Sequence, residues 1–206
     1  MKERPILFSA SMVNAILAGT KTQTRRIVKA KGTPFASASG AFIDMDASAQ
    51  QIRALPCKYG EPGDRLWVRE TWYCDHFDCQ VGPYIQPNGW EELLYYKARD
   101  DAGGGMTWTG FSGEKMRNPW RPSIHMPRWA SRITLEIEDV RVERLQKISE
   151  ADATAEGAFA GARKFGQIPI EPAVFAFKDL WESIHGPGSW AANPWVWVVC
   201  FRHVKP

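Results

Sequence analysis

The chain has 206 residues, and its 26 lysines and arginines against 23 aspartates and glutamates leave a formal net charge of only +3. That length suits one core of ordinary size, and that balance excludes an acidic tail or a histone-like basic chain, so any contact with nucleic acid has to be local. A hydrophobic share of 44% with 24% charged residues excludes wholesale disorder, and ten Trp with ten Phe supply rings that fill a core or line a ligand cleft.

Met12, Val13, Ile16 and Leu17 recur at the spacing of one helical face, Ser9 or Ser11 can cap the start, and Gly19 ends the helix. The apolar stretch Ile6 to Ala18 is interrupted by Ser9, Ser11 and Asn14, and its apolar residues fall at helical spacing, which speaks against a signal peptide and for mature structure in a soluble, cytoplasmic protein. Lys21 to Val28 is rich in β-branched side chains and reads as a strand entered straight from the helix. Residues 30–56 carry no sustained period and read as an insertion. The turn Gly60-Glu61-Pro62-Gly63-Asp64 feeds a strand whose alternation puts Leu66, Val68, Glu70 and Trp72 on one side.

Residues 75–121 read as a second long insertion, with a short strand near Leu93 to Ala98. Ile133, Leu135 and Ile137 then alternate as a half-buried strand, and the switch of parity to Val140 and Val142 predicts a bulge at Glu138-Asp139. Ser149 and Asp152 have capping-box spacing for a helix that runs toward Glu156 and stops at Gly157. A further helix sets Val174, Phe177, Trp181 and Ile184 on one face, and Trp195 to Phe201, apolar throughout, reads as a strand buried on both sides. That last stretch is too short to cross a bilayer as a helix, and no membrane partner is expected. The four cysteines are too few for a disulfide scaffold and are read as reduced thiols. The elements together predict an α+β domain over residues 1–206, built around a small mixed β-barrel with flanking helices and long inserted loops.

The densest polar cluster is Gly19-Thr20-Lys21-Thr22-Gln23-Thr24-Arg25-Arg26. A threonine hydroxyl needs a proton acceptor before it can attack a carbonyl, and Lys21 with Thr24 supplies such a pair if Lys21 is neutral. Burial, or the charges of Arg25 and Arg26, would lower the Lys21 pKa in that direction. On a regular strand residues 21 and 24 point to opposite faces, so the pair requires Lys21 to belong to the turn. The competing reading is a basic edge strand that discourages aggregation.

Gly19, Lys21 and Arg26, set after a helix and before the strand opened by Pro62-Gly63-Asp64, resemble the signature of the ASCH family, a branch of the PUA-like β-barrels. The resemblance covers about half of the chain and leaves out the two insertions. It implies a PUA-like barrel. Some small bacterial members are metal-independent amidohydrolases that remove the acyl group from N4-acetylcytidine with a lysine, a threonine and a glutamate. Their Gly-x-Lys-Thr-x-Thr-x-Arg context is matched by Gly19 to Arg26, which picks out Lys21 and Thr24, and their glutamate follows a helix start as Glu156 follows Ser149-Glu150. The resemblance therefore implies an N4-acylated cytidine as substrate, with no cofactor and no metal. Other members have been proposed to bind or cleave RNA, so RNA stays open as a partner, contacted by Lys21, Arg25, Arg26 and the Arg128 region.

Taken on residue type, Glu156 is an ordinary exposed helix carboxylate. Glu70 faces inward and needs a partner: either it reads a nucleobase edge while Trp72 stacks on the ring, or it pairs with Arg25 or Arg26. Arg26 is divided between binding substrate and anchoring the barrel. Cys74-x-His76-x-x-Cys79 has metal-ligand residue types without zinc spacing, and Gly103-Gly104-Gly105 lacks the pattern of a phosphate loop. Trp120-Arg121-Pro122 and His125-Met126-Pro127-Arg128-Trp129 interleave cations with rings. That pattern suits stacking on single-stranded RNA, and equally a proline-pinned loop.

Overall fold

The computed structural model describes residues 1–28, 56–74, 94–100, 120–158 and 172–204. Most of the two expected insertions lies outside these residues. Strand β1 (Glu3–Leu7) leads into helix α1 (Ala10–Leu17), which Ser9 caps by accepting from the Met12 backbone N–H. Gly19 ends it at φ +73°, a left-handed conformation that costs glycine nothing. Strands β2 (Gln23–Ile27), β3 (Arg65–Arg69), β4 (Trp72–Cys74) and β5 (Leu94–Tyr96) follow, and then a single helical turn, α2 (Lys97–Asp100). The chain closes with β6 (Thr134–Arg144), α3 (Glu150–Ala155), α4 (Ala173–His185) and β7 (Trp195–Val204).

Five strands form one mixed sheet in the order β1-β3-β6-β7-β2, and β4 pairs with β5 in a separate ribbon. β1 runs parallel to β3, and the other pairings are antiparallel. The β6–β7 register shifts between Ile137 and Asp139, where the change of apolar parity places it. β7 is apolar at every position from Trp195 to Phe201 because it separates two cores. Trp197, Val199 and Phe201 pack with Ile6, Phe8, Val13 and Leu135, while Val196 and Val198 pack with Leu145, Phe177 and Trp181.

The fold is mixed α and β as expected, but among the described residues the sheet is not a closed barrel. Among the described residues β1 pairs only with β3 and β2 only with β7. In place of a backbone ladder between these edges, Arg26 on β2 donates from Nη2 to the Leu7 carbonyl of β1 at 2.7 Å, and Phe8 fills the interior against Phe201 with ring centroids 6.1 Å apart. A long side chain thus spans the gap that a closed barrel would fill with hydrogen-bonded strands.

Two smaller expectations also fail. Phe177 and Trp181 are buried, but Ile184 is 53% exposed. The imidazole of His185, one helical turn beyond Trp181, stacks on that ring at 4.0 Å and covers the end of the stripe instead. Cys57 and Cys200 are free thiols, whereas Cys74 is disulfide-bonded. Counting cysteines says nothing about which of them a fold brings within bonding distance.

Candidate active site

The site begins where α1 ends. The Thr20 hydroxyl and the Lys21 backbone N–H both donate to the Ala15 carbonyl, at 3.0 and 3.1 Å, which fixes the turn that delivers Lys21. Lys21 lies outside the regular strand and forms an isolated bridge with Glu156, the residue that ends α3. The Ser149–Asp152 capping box starts that six-residue helix, and Gly157 follows it at φ +77°. A Cβ on Gly157 would stand 3.2 Å from the Ala15 Cβ and 3.4 Å from the Lys21 Cβ, so glycine lets the end of α3 close on the end of α1.

A lysine ammonium has three donors. Lys21 Nζ uses them on the Glu156 carbonyl at 2.7 Å, the Gln23 carbonyl at 2.9 Å and Glu156 Oε2 at 3.0 Å. The side chains of Lys21 and Glu156 are 1% and 4% exposed. Burial pushes the Lys21 pKa below that of an ordinary lysine; the Glu156 charge and hydrogen bond oppose this, and Arg26 and Arg25 add to it. The other oxygen of Glu156, Oε1, accepts from Arg25 Nη1 at 3.2 Å. The buried Arg25 guanidinium also meets Glu143 at 2.7 Å and Asp152 at 3.4 Å, and Arg141 meets Asp152 at 3.0 Å. Lys21, Arg25 and Arg141 thus face Glu156, Asp152 and Glu143, so that each buried charge, which desolvation would otherwise make costly, has an opposite charge beside it.

No known family model matches the chain, and neither does any curated protein sequence. Among solved structures it is similar to the ASCH domain of Lactobacillus crispatus JV V101, at 12% identity over 98% of this chain and 79% of that one, with a TM-score of 0.37. A likeness that loose does not place the chain in a family.

The two faces of β2 divide the remaining residues. Gln23 and Arg25 pair with Cys200 and Val198 on the α3–α4 side, while Thr24 and Arg26 pair with Val199 and Trp197 on the main-core side. Thr24 is buried at 3% exposure, and its hydroxyl makes no hydrogen bond to another described residue. Lys21 is not hydrogen-bonded to it. The two faces meet at Phe8, whose ring centre is 5.6 Å from Lys21 Nζ and 5.3 Å from the Arg26 guanidinium. Lys21 thus lies in the turn outside the regular strand, with its amine and the Arg26 guanidinium both over the Phe8 ring.

Glu70 and Trp72 belong to another region. Glu70 is buried as the alternation predicts, but its partner is Arg132, which donates from Nε at 2.9 Å and Nη2 at 3.0 Å, rather than Arg25 or Arg26. Trp72 is wholly buried in a third cluster with Leu94, Tyr96, Met126 and Ala130, and meets Trp129 edge-on at 6.0 Å. The segment from Trp120 to Trp129 packs onto that cluster through two 3-10 turns, each preceded by proline. Arg128 pairs with Glu3 at 2.9 Å.

Among the described residues no three of His, Cys, Asp and Glu are grouped so as to hold a metal ion. His76 and Cys79 of the weak metal pattern, and the glycine run 103–105, lie outside those residues. Among the described residues no helix is long and apolar enough to cross a membrane. The residue whose place the sequence left least defined is Arg25, taken as a nearby charge, a phosphate contact or a partner of Glu70, and not as a partner of Glu156. Its signal was available: strand parity puts it on the face of Gln23, opposite the acids of β6 and α3.

Proposed function

We propose that the chain is an amidohydrolase that removes the acyl group from the exocyclic nitrogen of N4-acylated cytosine nucleosides. The observation that carries this reading is the meeting of the buried side chains of Lys21 and Glu156, separated by 135 positions in the chain. The match of Gly19 to Arg26 with the Gly-x-Lys-Thr-x-Thr-x-Arg context supplies the threonine.

In this scheme neutral Lys21 takes the proton of the Thr24 hydroxyl as its oxygen attacks the amide carbonyl. The tetrahedral intermediate collapses with cleavage of the C–N bond, the cytosine nitrogen leaves with a proton returned by the Lys21 ammonium, and the acyl group remains on Thr24. Water, deprotonated by Lys21, then attacks the ester and releases the carboxylic acid, which restores both side chains. Glu156, held between Lys21 and Arg25, orients the amine. Arg26, on the Thr24 face and partly exposed, binds substrate. Glu70 and Trp72, tied into the third cluster, support the fold rather than the pyrimidine.

Incubation with N4-acetylcytidine should convert its ultraviolet spectrum to that of cytidine, and a folded protein that leaves the spectrum unchanged rejects the reading. Lys21→Ala, Thr24→Ala and Lys21→Arg should each lower kcat by about 10²-fold or more, the last because a guanidinium does not give up its proton. Full activity in Thr24→Ala would move the nucleophile to Thr22 or to water. The RNA reading predicts binding that weakens steeply with salt. Of its proposed phosphate contacts, Lys21 and Arg25 are enclosed in ion pairs and Arg128 is paired with Glu3.

A further inference from the structure

We infer that Arg25 is a positioning residue that sets the charge state of Lys21 by holding Glu156 from its other side, an inference that rests on the reading of Lys21 as the base. Glu156 divides its two oxygens, Oε2 to Lys21 at 3.0 Å and Oε1 to Arg25 at 3.2 Å. If Lys21 were its only partner, loss of the lysine proton would leave a buried carboxylate with no counter-charge, and the pair would retain the proton. A guanidinium stays charged at every working pH. With Arg25 in place, the Glu156 carboxylate keeps a cationic partner after Lys21 becomes neutral, so the amine can cycle.

The geometry of Arg25 suits that task. Glu143 at 2.7 Å and Asp152 at 3.4 Å hold the guanidinium, and its side chain has no exposed surface. Among the described residues, the charged or titratable groups around the pair are Arg25 and Arg26 from β2, Asp152 from α3, Arg141 and Glu143 from β6, and Cys200 from β7, whose thiol accepts from Arg141 at 3.2 Å. Among the described residues only Lys21 and Arg25 make side-chain ion pairs with Glu156. Arg26, the arginine that the signature singles out, faces the other side of β2. Burial depresses Lys21, and the Arg25 charge acts in the same sense.

The test measures kcat/KM for N4-acetylcytidine against pH in wild type, Arg25→Met and Arg25→Lys, while the Lys21 amine is titrated without substrate by NMR of protein carrying isotope-labelled lysine. Activity requires neutral Lys21, so it rises with pH through the lysine titration. Arg25→Met should move both the acid limb and the amine titration to higher pH, with kcat/KM down about tenfold or more at pH 7 and recovering as pH rises. Arg25→Lys, which keeps a charge there, should restore the limb toward wild type. Equal loss at every pH, with the amine titration unmoved, overturns the inference and leaves Arg25 a structural role.

If Arg25→Met does not fold, Arg25→Met combined with Glu143→Gln removes the guanidinium together with its nearest counter-charge. Measured against Glu143→Gln alone, it must show the same upward shift, and no shift overturns the inference. A wild type that leaves N4-acetylcytidine intact while its Lys21 titration responds to Arg25→Met rejects the substrate reading but upholds the control by Arg25. Turnover with a titration indifferent to Arg25 rejects the control alone.

Discussion

Glu156 and Glu70 are both shut off from water and both tied to an arginine, yet only Glu156 shares its charge with a group able to lose a proton. Glu70 is gripped in two places by one guanidinium, Arg132, which in turn stacks at 4.1 Å on Tyr96. The fork-to-fork geometry of that pair fixes a strand end. Glu156 is held once by Arg25 and once by Lys21. Burial of a carboxylate is therefore a poor guide to chemistry; what matters is whether one of its partners can change charge.

The sharpest way to break that comparison is to neutralise each acid in turn. Glu156→Gln leaves the buried Lys21 and Arg25 short of a counter-charge and should cost about 3–5 kcal/mol in chemical denaturation, and Glu70→Gln should cost less, because its partner Arg132 is partly exposed. Only Glu156→Gln should also move the Lys21 titration, and it should move it downward, because the carboxylate that favours the ammonium is gone. Its turnover should fall as well, since an uncharged amide would no longer orient the amine by charge. An equal movement of Lys21 in Glu70→Gln would show that the two regions are electrostatically joined.

Gly157→Ala asks whether the backbone junction holds the network together. Alanine at φ +77° costs about 1–2 kcal/mol, and its Cβ would press on Ala15 and Lys21 at 3.2 and 3.4 Å. The expected result is a destabilisation of that order, read from the denaturation midpoint, together with a loss of turnover larger than Glu70→Gln produces. A variant destabilised by the same amount but fully active would mean that Lys21 tolerates movement of the α3 end.

The parts of this arrangement legible in the sequence were those fixed by near neighbours. Gly19 ending α1, the Ser149–Asp152 capping box and the bulge after Ile137 each depend on a few adjacent residues, and all three stand where the pattern puts them. The burial of Glu156 had no such local signal, because a six-residue helix ending in an acid looks like any solvated surface helix. What buries it is contact with Lys21 and Arg25 across more than a hundred positions. Alternation told that Glu70 faces inward but not that Arg132 would meet it. Closure of the sheet depends on curvature summed over five strands, to which β1 and β2, read singly, are blind. Which cysteine forms a disulfide is equally a property of the assembled chain.

The smallest effect belongs to an acid remote from both regions, Asp64, in the turn before β3. It accepts from Arg4 Nη1 at 2.6 Å and from the Lys2 backbone N–H at 2.7 Å, and these contacts lower its pKa from the usual 3.8 to about 2. A depressed carboxylate contributes its stability in full above its unfolded value and loses it as pH falls through the folded one. Wild-type stability should therefore decline between about pH 4 and pH 2, and Asp64→Asn should flatten that decline without touching the pH dependence of turnover near neutrality. The difference should be modest, since the Arg4 side chain is 29% exposed and screened by water. Superimposable acid-denaturation curves would show that the Arg4–Asp64 pair adds nothing beyond the turn chemistry of Gly60 and Gly63, whereas a change in the Lys21 titration would extend the electrostatic unit across the whole sheet.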